Sequence, residues 1–338
     1  MTAGLVLTCW KTYCRACFAT QTGCWRTATS LLSRLNPFGR RSAPTPSGTV
    51  TPLKAYPHLR IGVHEKFDRF ISAQIAETGA WEPFETEIVD RLLGPGDVFV
   101  DIGANIGWYT IIAASKVGRS GRVYAFEPEP LNFDLARRNV ALNRLRNVTL
   151  ERMAIAERAG HASLFLSGDN LGDHRLYQSE DERASQSVPI VTLGEYFAGR
   201  PDKIRLVKMD AQGSEGKIFA GIPDDFVRTR HIGAFIVEYW PGGLLKSGSS
   251  AEALVARLKA LDLRCFVIQE PYRGLDPIDL DVLERRAHGD LRPEAGWHAN
   301  LLAVPAPKPL PDWMPPLIRE EDAPMFFKAG YLIKPFAQ

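Results

Sequence analysis

The chain has 338 residues, of which 45% are hydrophobic and 24% charged, with a net charge of +2; this ordinary globular usage argues against wholesale disorder, collagen-like repeats and a small disulfide-stapled fold. The charge is uneven, because residues 1–64 hold eight Lys or Arg and no acid, leaving 33 bases against 39 acids, or −6, for the remainder. A weakly acidic body disfavours a nucleic-acid partner, and no apolar run approaches the roughly 20 residues of a membrane-spanning helix.

Residues 1–60 read as a flexible basic extension, punctuated by Pro37, Pro44, Pro46, Pro52 and Pro57. Its composition fits an organelle transit peptide, a membrane-surface segment or a plain solvated tail. Cys9, Cys14, Cys17 and Cys24 crowd into it, whereas Cys265 is alone in the body, which points to a reducing compartment and a cytoplasmic location. The spacing of Cys9, Cys14 and Cys17 is that of an iron–sulfur run, yet no flanking fold supports it, so no metal is expected. Residues 61–93 form a helical lead-in. Phe67, Phe70, Ile71 and Ile75 fall at helical spacing before a stop at Gly79, and a second helix after Pro83 turns Phe84, Ile88, Leu92 and Leu93 inward.

The core spans residues 94–304. It opens with a turn at Gly94 to Asp97 and an apolar strand, Val98 to Ile102. A helix from Ile106 to Val117, a strand from Arg122 to Phe126, a helix from Pro130 to Asn143 with Leu131, Leu135 and Leu142 on one face, and a strand from Val148 to Met153 follow. Two β-like stretches, Ala162 to Leu166 and Val188 to Val191, flank a polar loop with Asp169, Asn170, Asp173 and His174, the kind of long loop that is usually functional or disordered. Strands at Ile204 to Met209, Ile232 to Glu238, Cys265 to Ile268 and Ala299 to Val304, with a helix from about Ala251 to Leu261, complete an α/β core with a mostly parallel sheet covered on both faces. Residues 305–338 are a proline-rich terminal segment.

Ligands of open α/β sheets bind beyond the carboxyl ends of the strands, which places the loop Gly103-Ala104-Asn105-Ile106-Gly107 at a ligand. Its G-x-x-x-G spacing is not the dinucleotide fingerprint, since Asn105 stands where the middle glycine admits a pyrophosphate. Glu127, at the tip of the second strand in Ala125-Phe126-Glu127-Pro128, is placed to accept both hydroxyls of a ribose. Asp101, at the neighbouring tip, is placed to face an ammonium or sulfonium group through space.

The ordered set D-x-G-A-N-x-G from Asp101, F-E-P at Phe126 to Pro128, and Lys208-Met209-Asp210-Ala211-Gln212-Gly213-Ser214-Glu215 resembles the FkbM-type family of S-adenosylmethionine-dependent methyltransferases. The resemblance extends from Gly79-Ala80-Trp81-Glu82-Pro83 to Phe235-Ile236-Val237-Glu238, roughly residues 79–240. It implies a Rossmann-like class I methyltransferase sheet of seven strands with an antiparallel final hairpin, and S-adenosyl-L-methionine as cofactor. On the matching positions it implies Asp101, Gly103, Asn105 and Gly107 around the methionine portion, Glu127 at the ribose, and Ala154 with Ile155 at the adenine; Ala104 and Pro128 complete the set. One departure is Gln212, which stands where the family usually has an acid.

The implied activity is O-methylation of a hydroxyl on a sugar, glycan or polyketide-type small molecule. Asp210 is the first candidate for general base, with a cofactor contact or helix cap as its plain alternative; Glu215, with a cap of its own helix through Asp210 to Gly213 as the alternative, and Glu238, facing either the substrate cleft or a buried partner, are further catalytic candidates. His174 is either a site residue or an exposed loop histidine, and Trp108 and Tyr109 either lean on the sulfonium or pack. The rivals are a non-catalytic cofactor- or glycan-binding relative and an NAD-dependent oxidoreductase.

Overall fold

The computed structural model describes residues 49–66, 68–178, 182–270, 273–288 and 298–306. The tail cysteines Cys9, Cys14, Cys17 and Cys24, residue Phe67 and the proline-rich segment beyond residue 306 lie outside the described residues. Residues 50–60, expected in the extension, belong to the folded body. Strand β1 (Val50–Pro52) pairs antiparallel with β2 (Arg60–Gly62), and Leu53, Leu59 and Ile61 are buried. The proline signal misleads here because a two-stranded ribbon consists of edge strands, where proline is tolerated.

Helix α1 (Ile71–Thr78) begins later than its apolar spacing implies. The Asp68 carboxylate accepts from the backbone N–H groups of Phe70, Ile71 and Ser72 at 3.3, 3.2 and 2.9 Å, which satisfies the first-turn amides and starts the helix there. Phe70 consequently lies outside it and is 48% exposed instead of facing inward. Helix α2 (Pro83–Leu92) buries Phe84, Ile88 and Leu92 as its pattern requires.

Then β3 (Val98–Ile102), α3 (Trp108–Val117), β4 (Arg122–Phe126), α4 (Pro130–Leu142) and β5 (Val148–Glu151) alternate. On α4 the inward stripe is Asn132, Leu135, Ala136 and Asn139, so Leu131 is left 61% exposed, contrary to the apolar reading. The two asparagines hold that stripe because they are fully bonded. Asn139 accepts from Gly62 N at 2.7 Å and donates to Ile106 O at 2.8 Å, while Asn132 donates to Leu171 O at 2.8 Å.

Strands β6 (Ala154–Ile155), β7 (Gly160–Phe165) and β8 (Ser185–Val191) form a separate sheet in the order β6-β8-β7. The chain continues through α5 (Leu193–Tyr196), β9 (Leu206–Met209), α6 (Glu215–Ala220), α7 (Phe226–Thr229) and β10 (Ala234–Tyr239). It closes with α8 (Pro241–Lys246), α9 (Ala251–Ala260), β11 (Leu263–Gln269), β12 (Gly274–Ile278), α10 (Leu280–His288) and β13 (Ala299–Pro305).

The main sheet has the order β12-β11-β13-β10-β9-β3-β4-β5. Its centre is parallel, and β13 runs antiparallel between β10 and β11. Strand β12 adds an eighth member to the seven expected, with Pro277 exposed on the edge. Side chains alternate across the sheet. Val98, Val100 and Ile102 join one core with Leu193, Ile218, Phe226 and Leu254, while Phe99 joins the other with Ile88, Ile111 and Leu135. The same period puts Asp101 on the α2–α3 face, in register with Lys208 of β9.

Candidate active site

The loop after β3 is folded by backbone contacts that only particular residues permit. Gly103 and Ala104 both donate their N–H to Phe126 O at 3.0 Å. Gly103 has φ 79°, and a Cβ there would stand 1.9 Å from the carbonyl oxygen of Asp210, so the β3 loop and the β9 tip touch through bare backbone. Asn105 also takes a left-handed φ of 49°, and its N–H donates to Glu127 Oε2 at 2.8 Å. Gly107, at φ 87°, starts α3.

These strand tips open on a cavity of about 830 Å³, within the roughly 300–1,000 Å³ typical of small-molecule sites. Glu127 is buried at its wall and accepts from Asn105 N with one oxygen and from Glu129 N, at 2.9 Å, with the other. Burial pushes its carboxyl up to about 8 against the pull of those N–H groups. Asn105 Oδ1 is buried without a hydrogen-bond partner beside it.

The α2–α3 side of the cavity is acidic. Lys208, buried in an apolar strand, lies 3.4 Å from Glu85 Oε1 and 3.5 Å from Asp210 Oδ2, with its ammonium 4.6 Å from the centre of the Tyr109 ring. Burial works against its charge, but Glu85, Asp210 and Glu82 outweigh it and hold the ammonium well above its usual range. Tyr109 donates its hydroxyl to Glu82 Oε2 at 2.7 Å, and Asn300 of β13 donates to Glu85 Oε2 at 2.5 Å. Asp210 is about one-third exposed, with a side-chain exposure of 34%, and its Oδ1 accepts from Gln212 Nε2 at 2.7 Å. Glu238 is 6% exposed, its Oε2 has no hydrogen-bond partner, and burial together with the Asp210 and Glu215 charges pushes its carboxyl well above the usual range.

Of the residues singled out from the sequence, Gly103, Ala104, Asn105, Glu127, Pro128, Ala154, Ile155, Asp210 and Glu238 all line this cavity. Three are placed otherwise. Asp101 lies under the wall, accepting from Thr110 Oγ1 at 2.6 Å, with burial pushing it up to about 6. Gly107 faces Ala136 of α4, 3.4 Å from where its Cβ would sit. Glu215 is fully buried and accepts from Ala211 N at 2.6 Å, so its carboxylate ties down the loop beyond β9 instead of reaching the cavity. Trp108 and Tyr109 also line the cavity, and Trp108 donates its indole N–H to Thr86 Oγ1 at 3.0 Å.

His174 lines the cavity, so the exposed-loop alternative does not hold. Its Nδ1 accepts from Ser167 N at 3.1 Å, and burial lowers its titration to about 4. The neutral ring therefore carries its proton on Nε2, a buried donor with no hydrogen-bond partner, so the ring is not poised as a base. Its loop is pinned by Asp173, which accepts from Arg175 at 2.6 and 2.9 Å and from Arg183 at 2.9 Å.

The sequence reading missed the functional placing of Glu82, Glu85, Lys208 and Asn300. The available signal was Lys208 itself, since a lysine inside Leu206-Val207-Lys208-Met209 demands a buried counter-charge. Among the described residues, no group of three or more His, Cys, Asp or Glu is arranged to hold a metal ion, and no helix is long and apolar enough to cross a membrane.

A parallel sheet with an antiparallel strand inserted next to its last parallel one, a glycine loop after its first core strand and an acid at the second tip define a class I methyltransferase fold. Residues 101–242 match the sequence model of the family described as "Methyltransferase FkbM domain". Similar proteins include "Methyltransferase sdnD" of Sordaria araneosa, 28% identical over 178 residues, 43% of this chain and 67% of that one. The "31-O-demethyl-FK506 methyltransferase FkbM" of Streptomyces tacrolimicus is 29% identical over 172 residues, 41% of this chain and 65% of its own. "Methyltransferase 1" of Beauveria bassiana is 26% identical over 152 residues, covering 39% and 61%. The chain thus spans roughly two thirds of the length of these relatives.

Proposed function

We propose that the protein transfers a methyl group from S-adenosylmethionine to a hydroxyl of a sugar, glycan or polyketide-type small molecule. The observation that carries this reading is the contact of the Gly103 loop with the Asp210 backbone, which sets an anchored carboxylate beside the nucleoside-type cradle of Glu127 in one cavity. The residues fit the cofactor. Glu127 would hold the ribose hydroxyls, Ala154 and Ile155 would wall the adenine, and Asn105, whose Oδ1 has no hydrogen-bond partner, would meet the amino-acid end. Bound there, the cofactor supplies a methyl on a sulfonium, whose carbon–sulfur bond breaks as the acceptor oxygen–carbon bond forms.

Asp210 is the general base of this reading. Its Oδ1 is held by Gln212, and its Oδ2 remains beside Lys208 to take the acceptor's proton, a contribution of about 10²–10⁴-fold. Holding the acceptor oxygen in line contributes more, up to effective molarities of about 10⁵ M or beyond. Glu215 acts through Ala211 as a positioning residue. Polyketide acceptors gain support from the relative named for an FK506 precursor.

Calorimetric titration with S-adenosylmethionine and, separately, NAD tests the cofactor: binding of NAD alone would return the oxidoreductase rival. Labelled methyl transfer into a glycan or small-molecule extract, compared with Asp210→Ala, tests the chemistry. The variant is expected to lose about 10²–10⁴-fold in rate. Equal labelling by both proteins removes Asp210 as base, and no labelling with intact cofactor binding returns the non-catalytic rival.

A further inference from the structure

The N-cap of α2 is occupied by Glu82, a place where a carboxylate ordinarily accepts the first helical amides. Glu82 does not do so. Its backbone is left-handed, at φ 38° and ψ 66°, and it makes no side-chain cap; Glu270, at the end of β11, accepts from Phe84 N and Glu85 N at 3.1 and 2.6 Å instead. A non-glycine residue is strained in that conformation, and the strain is held at the cavity wall, where the freed Glu82 carboxylate meets the Tyr109 hydroxyl. Glu238, also lining the cavity, presents a buried oxygen with no hydrogen-bond partner.

The charged and titratable groups around this pair come from every neighbouring element. Lys208 and Asp210 come from β9 and its tip, Glu215 from α6, Glu85 from α2, and Tyr177 with Arg175 from the loop between β7 and β8. Asp101 lies beneath Lys208 on β3, and Glu127, Glu270, His174 and His298 line the same cavity. Lys208 is committed to Glu85 and Asp210. Arg175 is committed to Asp173 and lies against the Trp240 ring at 4.9 Å. The carboxylates of this wall therefore outnumber the cations near them.

We propose that Glu82 and Glu238 make the cavity select a positively charged methyl donor over the neutral thioether that remains after transfer. This rests on the reading of the cavity as an S-adenosylmethionine site and deepens it. Burial and the neighbouring carboxylates Glu85, Asp210 and Glu215 raise the titration of both groups, against the opposing pull of the already committed Lys208, Glu82 up to about 8. A sulfonium favours their ionised forms, so its arrival drives a proton into solvent. When the methyl leaves, the sulfur keeps the electron pair of the broken carbon–sulfur bond and an acceptor lone pair makes the new carbon–oxygen bond. The acceptor's O–H proton passes by way of Asp210 to the wall that the cation had deprotonated. One proton is released per methyl transferred, and the thioether faces a neutral wall with no Coulombic hold on it.

The test is calorimetry of the full chain with S-adenosylmethionine and with S-adenosylhomocysteine, in two buffers of different ionisation enthalpy. The charged ligand is expected to release more protons than the neutral one, and the ratio of their affinities to rise between about pH 6 and about pH 8 and then level. In the double variant Glu82→Gln, Glu238→Gln, the charged ligand is expected to weaken by about tenfold or more, the equivalent of one pKa unit, with the neutral one held within about twofold. Equal proton release by both ligands in the unaltered protein, a comparison that needs no variant, overturns the inference while leaving the cofactor assignment standing. So does an equal loss of both ligands in the double variant. If neither ligand binds, the proposed function falls and the inference with it.

Discussion

Glu270 reaches α2 from a strand 185 residues further along the chain, accepting from Glu85 N at 2.6 Å and from Phe84 N at 3.1 Å. One carboxylate thereby satisfies the helix start while another, Glu82, is spared for the cavity. Replacing Glu270 by Ala orphans those two amides and is expected to cost about 1–2 kcal/mol in denaturant unfolding, with Gln, which keeps an acceptor oxygen, recovering part of it. An unaltered midpoint for the Ala variant would show that water replaces the cap without penalty.

Gly103 admits no side chain. A Cβ would lie 1.9 Å from Asp210 O at a left-handed φ, and the atom it meets is backbone, which cannot rotate away. Gly103→Ala is expected to destabilise by about 2–5 kcal/mol through strain and overpacking, and to abolish cofactor binding in whatever fraction remains folded. Thermal melting and ligand titration of the same preparation measure the two effects.

Glu215 carries a pH signature. Burial raises its folded titration from 4.5 to about 8, so the folded state holds a proton that the unfolded state gives up. The resulting stability is fully present below about pH 4.5 and is lost as pH rises through about 8. Glu215→Gln keeps the acceptor for Ala211 N and removes the titration. Its melting temperature is expected to fall less steeply than that of the unaltered protein between those limits, and parallel melting curves would refute the assignment.

Gln212 holds Asp210 by a neutral donor at 2.7 Å. Gln212→Glu exchanges that donor for a second negative charge, removing a hydrogen bond to an ionised group worth about 1.5–3 kcal/mol and adding repulsion. Methyl transfer to a given acceptor is expected to slow by about tenfold or more, the rate equivalent of about 1.4 kcal/mol. An unchanged rate would detach this bond from the chemistry.

Much of the site was legible in the chain order because its parts are local. The strand–glycine loop–helix run from Val98 to Val117 and the acid at Glu127 carry their conformational and chemical demands in adjacent residues, and the cavity contains Gly103, Asn105 and Glu127 accordingly. Where the apolar pattern failed, a polar side chain had taken over, near in sequence at Asp68 and bonded to distant segments at Asn132 and Asn139. Asp68 reset the start of α1 and exposed Phe70. Asn132 and Asn139 occupied the inward stripe of α4 that apolar residues were expected to fill, because the lead-in strand and the inserted loop supplied partners for their amides.

The sequence by itself determined the alternating α/β order, the glycine loop that lines the cavity and the family resemblance, since periodicity, turn chemistry and motif spacing are properties of neighbouring residues. Only the tertiary structure decided which acids share a wall. Glu82, Lys208, Glu238 and Asn300 come from four separated segments, and whether a carboxylate is capped, paired or left with a bare oxygen depends on groups that meet through packing across the sheet. Burial then sets how strongly each charge is felt, and burial belongs to the assembled fold.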